Sequence, residues 1–112
     1  MTFSSDLVFN GENDVPYREQ DAVGPLNYYG KTKAEGEKRS MQNFPDTLII
    51  RTSSFFGPWD QYNFAHLFLK NLQNGLQTNV VKNVVVSPTY VPHLVDASLD
   101  LLIDREAGIW HL

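Results

Sequence analysis

A tyrosine and a lysine four residues apart have the types and the spacing that could carry chemistry. Tyr29 and Lys33 lie in the segment GPLNYYGKTKAEGEKRS, residues 24–40. If that segment is helical, the two side chains lie on one face, one turn apart. A phenol ionises only near about pH 10 in water, so an unassisted tyrosine is a poor proton donor or acceptor at neutral pH. The lysine would have to supply the assistance.

A neighbouring cation changes the proton chemistry of a phenol. At about 5 Å and an effective dielectric constant of ~20, an ammonium group stabilises a phenolate by roughly 3 kcal/mol. Such a tyrosine can deliver a proton to a carbonyl oxygen while the carbonyl carbon is reduced. A hydroxyl donor at a strand end, the place of Ser4 and Ser5, would hold that carbonyl. On the spacing alone, an exposed aromatic residue beside a solvated charge is the competing interpretation.

The first half of the chain contains the elements that would position these residues. Residues 2–11 are β-rich and end in Asn-Gly, which predicts a strand leaving into a turn. Residues 12–25 are polar and hold two prolines, which predicts a surface loop. Residues 26–43 have a helical pattern that stops before Phe44-Pro45. Residues 46–57 begin with an apolar run, typical of a strand buried on both faces of a parallel sheet.

The second half of the chain also alternates between predicted helices and predicted strands. Residues 62–75 predict an amphipathic helix with Gly75 beyond its end, and residues 79–88 predict one or two short strands. Residues 89–106 have the clearest helical pattern, and GIWHL at residues 108–112 predicts a terminal strand. The last helix has five apolar residues on one face, at Leu94, Val95, Leu99, Leu102 and Ile103, and three aspartates opposite, at Asp96, Asp100 and Asp104.

This order of strands and helices predicts an α/β fold. The first strand–helix–strand unit should cross over in the right-handed sense, with its two strands parallel. Parallel strands need cover on both faces and a neighbour at their edges. A chain of 112 residues is short for that. We therefore expect self-association, a partner chain that covers the sheet edges, or a longer protein of which these residues are one part.

The composition excludes several classes of function. The net charge is −4 and the basic residues are scattered, which argues against a nucleic-acid or anionic-membrane partner. The chain has no cysteine, so it has neither a disulfide nor a thiolate site. The apolar runs are only a few residues long, and the first residues do not resemble a secretory signal. A soluble cytoplasmic protein is the expectation.

No group of side chains has metal-ligand spacing. His66, His93 and His111 lie far apart in the sequence, and we interpret them as structural. The three aspartates of the last helix have the spacing of an ordinary solvated face. We therefore predict no metal site.

The surroundings of Tyr29 and Lys33 resemble a known family. The segments SSDLVFNG, PYRE, GPLNYYGKTKAEGEK, IIRTSSFFGP, NF and VSPTYVPHLVDA have the order and spacing of the extended short-chain dehydrogenases/reductases. Among these, the pattern is most similar to the dTDP-4-dehydrorhamnose reductases. The resemblance implies a partial Rossmann-like α/β fold, with a catalytic strand–helix–strand in residues 1–57 and a substrate-binding portion in residues 58–112. It also implies reduction of a 4-keto nucleotide sugar by NADPH or NADH.

The same resemblance implies a role for individual residues. Ser5 matches the hydroxyl that binds the substrate carbonyl, and Tyr29 matches the proton donor. Lys33 matches the lysine that holds the nicotinamide ribose and promotes ionisation of the tyrosine. The cofactor-binding residues would be Tyr29, Lys33, Thr52 and Ser53, and the substrate-binding residues would be Ser5, Asn63 and Thr89.

The sequence departs from the family pattern at two places. The seven glycines never fall in the Gly-x-x-Gly-x-x-Gly spacing that binds a dinucleotide pyrophosphate. We therefore expect the cofactor-binding half to be absent and the isolated chain to be inactive. Ser54 stands where these reductases carry an aromatic residue that contacts the sugar. The sequence therefore does not determine which sugar is the substrate. The alternative function is a non-catalytic binding or regulatory module of the same fold, acting on a partner protein.

Overall fold

The computed structural model describes residues 1–112 and contains a parallel sheet with a helix on each face. In chain order, the elements are β1 Thr2–Ser5, a 3-10 turn Asp6–Val8, α1 Tyr28–Asn43, β2 Leu48–Thr52, β3 Phe55–Phe56, α2 Phe64–Gln73, β4 Thr89–Tyr90, α3 Val91–Ile103 and β5 Gly108–His111. The main sheet has the strand order β1-β2-β5. A second, two-stranded parallel sheet pairs β3 with β4.

Strand β2 is the centre of the molecule. It pairs in parallel with β1 on one edge and with β5 on the other. All five of its residues are buried. Leu48 and Ile50 form a core cluster with Leu94 of α3, while Arg51 on the opposite face contacts Glu37 of α1. The predictions of an α/β fold and of a doubly covered strand in residues 46–57 are confirmed.

Helix α1 begins where a side chain caps it. The Oδ1 atom of Asn27 accepts the backbone N–H of Gly30 at 2.7 Å, which satisfies one of the free donors of the first turn. The helix therefore starts at Tyr28, two residues later than its sequence pattern predicts. It ends at Asn43, before Phe44 and Pro45, as predicted.

The first strand is shorter than predicted. Strand β1 covers Thr2–Ser5, whereas the predicted strand continued to a turn at Asn10-Gly11. Ser5 Oγ accepts the backbone N–H of Leu7 at 3.2 Å and so caps the 3-10 turn Asp6–Val8. This local hydrogen bond takes the backbone out of the sheet. The loop that follows returns to the turn, where the Gly24 N–H donates to the Val8 carbonyl at 2.9 Å.

A buried ion pair joins α1 to the sheet. The Nε and Nη2 atoms of Arg51 donate to the two carboxylate oxygens of Glu37 at 2.8 and 2.7 Å. The two side chains are only 4 % and 6 % exposed. The same guanidinium lies 4.9 Å from the ring centroid of Phe9 and donates to the Glu19 carbonyl at 3.3 Å. Arg51 therefore connects the helix, the central strand and the long loop.

The loop is also tied to β5 through Glu19, whose side chain accepts the His111 N–H at 3.1 Å. Hydrogen bonds from the Glu19 and His111 backbones lower the pKa of this carboxyl below its ordinary value, and the charges of His111 and Arg51 add to the effect. A carboxyl with a lowered pKa stabilises the folded state above its ordinary pKa, and that contribution is lost as the pH falls through the folded-state pKa.

This gives a prediction for Glu19→Gln, measured by urea unfolding of the full chain. At about pH 7 the variant should be less stable than the wild type, because the amide lacks the charge that the backbone donors favour. At a pH low enough to protonate the folded-state carboxyl, the difference should shrink, since the wild-type side chain has then lost its charge. A difference that is the same at both pH values would contradict this assignment.

Helix α2 ends as predicted, but the segment after it does not form strands. Gly75, with φ of +66°, and Leu76 donate their N–H groups to the carbonyls of Leu72 and Asn71 at 3.1 and 2.9 Å, a Schellman end. The prediction of strands in residues 79–88 is wrong. A strand needs partners for its backbone groups. Strand β3 pairs with β4, which begins at Thr89, and not with residues 79–88.

Helix α3 packs on the main sheet with a narrower face than its sequence pattern suggests. Leu94 and Ser98 are buried, and Leu101 packs against the core cluster with Trp110 and Leu112. Four of the five residues of the predicted apolar face are exposed, namely Val95, Leu99, Leu102 and Ile103. The reason is that the helix lies over β2 and β5 along the row of Leu94, Ser98 and Leu101. The predicted terminal strand is confirmed as β5, and none of the helices is long and apolar enough to span a bilayer.

Candidate active site

Tyr29 and Lys33 share one face of the first two turns of α1, as their spacing predicts. The Lys33 Nζ atom lies 5.6 Å from the centroid of the Tyr29 ring. The same ammonium group donates a hydrogen bond of 3.0 Å to the carbonyl oxygen of Phe3 in β1. Because an ammonium group has three N–H donors, two remain for other acceptors. The lysine is thus anchored to the strand that ends in Ser5.

A glycine lets the start of α1 approach the turn that follows Ser5. A Cβ atom built on Gly30 would lie 2.1 Å from the Leu7 carbonyl oxygen and 3.0 Å from Pro25 Cβ. Only a residue without a side chain permits this contact between backbones. Gly30 is the residue directly after Tyr29, so the contact holds the tyrosine beside the end of β1.

Gly30→Ala should therefore destabilise the full chain, by about 1–3 kcal/mol, because the helix must move away from the turn. Gly36 is the matched control, since it lies in the same helix and a Cβ there meets nothing within 4 Å. Gly36→Ala should stabilise the chain by roughly 0.5–1 kcal/mol through helix propensity. Urea unfolding measures both variants, and a Gly30→Ala variant as stable as Gly36→Ala would contradict the close approach.

An aspartate joins two of the serines to which the resemblance gives roles. Ser5 Oγ donates to Asp6 Oδ1 at 2.9 Å, and Ser53 Oγ donates to Asp6 Oδ2 at 2.6 Å. Thr52 is the register partner of Ser5 on β2. The structure therefore brings Ser5, Thr52 and Ser53 together at the carboxyl ends of β1 and β2. The sequence analysis gave no functional role to Asp6. Its position directly after Ser5, at a strand end, could have indicated a hydrogen-bond partner for that serine.

Ser4 and Ser5 have different surroundings. Ser4 is 6 % exposed, and its hydroxyl has no hydrogen-bond partner. It is in register with Arg51 and so faces α1. Ser5 lies at the end of the strand, where its hydroxyl is engaged by Asp6 and Leu7. The preference for Ser5 over Ser4 as the functional hydroxyl stays a prediction.

The two predicted substrate-binding residues of the second half lie around the β3–β4 pair. Asn63 Oδ1 accepts the Ala65 N–H at 2.8 Å and caps α2, while its Nδ2 donates to the Phe55 carbonyl. Thr89 is buried, and its N–H donates to the Ser54 carbonyl at 3.0 Å. Ser54 has a φ of +25°, a conformation that L residues rarely adopt. Both residues are thus connected to the end of β2, where Ser53 lies, rather than to α1.

Comparison with known proteins shows relatives over the full length of the chain. The family of the RmlD substrate binding domain matches residues 1–112. The dTDP-4-dehydrorhamnose reductase of Salmonella typhimurium is 36 % identical over 98 % of this chain. Methionine adenosyltransferase 2 subunit beta of Bos taurus is 50 % identical over 54 residues, which is 48 % of this chain and 16 % of that protein.

The solved structures agree. The crystal structure of dTDP-4-dehydrorhamnose reductase from Bacillus anthracis in complex with NADP superposes with a TM-score of 0.90 at 29 % identity. It is matched over 99 % of this chain and 39 % of its own. This chain likewise spans 38 % of the Salmonella reductase. The match to the family over all residues, supported by the shared backbone, confirms the resemblance seen in the sequence: the chain belongs to the RmlD substrate binding domain family.

Proposed function

We propose that this chain is the catalytic and substrate-binding portion of an NAD(P)H-dependent reductase of a 4-keto nucleotide sugar, of the type that converts dTDP-4-dehydrorhamnose to dTDP-L-rhamnose. One observation carries the proposal. The Lys33 ammonium group lies 5.6 Å from the Tyr29 ring centroid, on a helix whose Gly30 touches the turn after Ser5. A phenol beside a cation can supply the proton that a ketone oxygen takes up when a hydride is added to its carbon.

In this proposal Tyr29 gives its phenolic proton to the carbonyl oxygen of the sugar. The Lys33 ammonium group favours the phenolate that remains. Its hydrogen bond to the Phe3 carbonyl holds it in place, so little reorganisation is needed when the phenolate forms. Ser5, at the end of β1, would contact the substrate beside the reacting carbonyl.

The residues present fit one end of a nicotinamide dinucleotide. In open α/β sheets, ligands bind at the carboxyl ends of the strands, and Thr52 and Ser53 lie there together with Ser5. Lys33 has two free donors for ribose hydroxyls. When bound, the reduced dinucleotide supplies the hydride. No glycine-rich turn for the pyrophosphate occurs in the sequence, so that part of the site would come from residues beyond these 112.

The test joins this chain to the part of a relative that the chain does not match. We define the joined protein as the Salmonella reductase in which this chain replaces the matched 38 %. The assay is NADPH oxidation in the presence of dTDP-4-dehydrorhamnose, with the intact Salmonella enzyme as the positive control. We expect turnover by the joined protein and negligible oxidation by the chain alone. A joined protein that folds and binds NADPH but does not reduce the sugar would refute the proposal.

A second candidate function is a non-catalytic regulatory module that acts on a partner protein. It is favoured by the 50 % identity over 54 residues to a protein named as the beta subunit of methionine adenosyltransferase 2. The test is titration of a purified methionine adenosyltransferase catalytic subunit with this chain. Stable binding that changes the kinetics of that enzyme, and that persists in Tyr29→Phe, would favour the module over the reductase.

A further inference from the structure

Asp6 accepts hydrogen bonds from two hydroxyl groups at the candidate site. Its two carboxylate oxygens each accept one serine hydroxyl, from Ser5 at 2.9 Å and from Ser53 at 2.6 Å. Those two serines are 8 % and 9 % exposed, whereas Asp6 itself is exposed. The contact between Asp6 and Ser53 spans 47 positions of the sequence and links the turn after β1 to the end of β2.

The direction of these hydrogen bonds follows from the number of protons available. An ionised carboxylate only accepts, and a serine hydroxyl has one proton and two lone pairs. The protons of Ser5 and Ser53 are therefore both directed at Asp6. Ser5 Oγ also accepts the Leu7 N–H at 3.2 Å, so it retains one lone pair and no free proton. Ser53 Oγ also lies 3.5 Å from Ser54 Oγ, at the limit of hydrogen-bond distance.

We propose that Asp6 is a positioning residue that presents Ser5 as a hydrogen-bond acceptor rather than as a donor. In this arrangement Ser5 Oγ can accept a hydrogen bond from a substrate hydroxyl. It cannot donate to the substrate carbonyl, the role that the resemblance implies, unless its proton leaves Asp6. Asp6 acts through Ser5, and the bond to Ser53 keeps the carboxylate in place. This inference rests on the proposed reductase function.

The test is a double-mutant cycle of Asp6→Asn and Ser5→Ala in the joined protein. Asparagine has the same shape but offers one acceptor and one donor group, so the two hydroxyls can no longer both donate to it. Asp6→Asn should lower kcat by about 10- to 100-fold, the effect of one hydrogen bond to a charged group, with little change in KM. In a Ser5→Ala background, the same substitution should lower kcat no further.

A control variant distinguishes an effect on the position of the Ser5 hydroxyl from a general loss of structure. Ser4→Ala removes the neighbouring buried hydroxyl, which has no partner, and should leave kcat unchanged. Independent, multiplicative losses of kcat from Asp6→Asn and Ser5→Ala, or an unchanged kcat in Asp6→Asn, would overturn the proposal.

If the wild-type joined protein shows no turnover, the proposed reductase function is refuted, and kcat cannot report on Asp6. A second double-mutant cycle, based on stability, then tests whether Asp6 holds Ser5. It uses the melting temperatures of Asp6→Asn, Ser5→Ala and the double variant. Losses of Tm that are not additive would show that Asp6 holds Ser5 even without the enzymatic role. Additive losses would show that the two residues do not interact, and the proposal would fall.

Discussion

Tyr29→Phe should lower kcat of the joined protein by about 10²- to 10⁴-fold, the usual contribution of a positioned proton donor. The substitution removes only the phenolic oxygen and keeps the ring beside Lys33. The KM for the sugar should change far less, because the lost interaction acts on the proton transfer rather than on binding. Steady-state kinetics with saturating NADPH measure both quantities.

The neighbouring tyrosine is the matched control. Tyr28 is the first residue of α1 and is 83 % exposed, against 51 % for Tyr29. Tyr28→Phe makes the same chemical change one position earlier, where the side chain is turned by about 100° around the helix. It should retain wild-type kcat. Equal losses in the two variants, or full activity of Tyr29→Phe, would contradict the role given to Tyr29.

Glu37→Gln should lower the free energy of unfolding of the full chain by about 3–5 kcal/mol, because it leaves a buried Arg51 charge without its partner. The pair is bidentate at 2.8 and 2.7 Å, and neither side chain is more than 6 % exposed. The loss should be accompanied by loosening of the long loop, since Arg51 also contacts Phe9 and the Glu19 carbonyl. Urea unfolding gives the magnitude.

The same helix offers a control with the same chemistry and different burial. Glu35 accepts Arg39 Nε at 2.7 Å, but the two side chains are 49 % and 72 % exposed. Glu35→Gln should leave the unfolding midpoint almost unchanged, since water screens this pair and its side chains are free to move. A midpoint lowered as far as in Glu37→Gln would show that burial is not the cause.

A second control tests whether the loss of stability in Glu37→Gln comes from the unpaired Arg51 charge. Replacing both Glu37 and Arg51 by methionine removes both charges, so no unpaired charge is left in the interior. The double variant should be more stable than Glu37→Gln. A double variant that is less stable than the single one would mean that Arg51 is required for its other contacts rather than for the ion pair.

These two predictions concern the same helix. Its amino-terminal turns carry Tyr29 and Lys33, and they are held at Gly30 by the Leu7 carbonyl. Two turns further on, Glu37 is held by Arg51 of the central strand. Lys33, between these two points, donates to Phe3 of β1. The position of the candidate proton donor is therefore determined by three contacts with β1, the turn after it and β2.

The sequence by itself determined the features that depend on neighbouring residues. The helical period and Phe44-Pro45 define α1 except for its first residues, and an apolar run defines β2. The spacing of Tyr29 and Lys33 on a helix places them on one face. Each of these follows from local backbone geometry and side-chain type, which a pattern records directly.

The tertiary structure alone decided which distant groups meet. Strand β1 ends at Ser5 because a hydroxyl caps the next turn, and residues 79–88 form no strand because β3 pairs with β4. The apolar face of α3 is only partly covered, since the helix meets the sheet along a narrower row. Arg51 meets Glu37 from 14 positions away, and Asp6 meets Ser53 from 47. Contacts of this kind depend on how strands and helices pack in space, and the order of residues along the chain does not encode them in any local pattern.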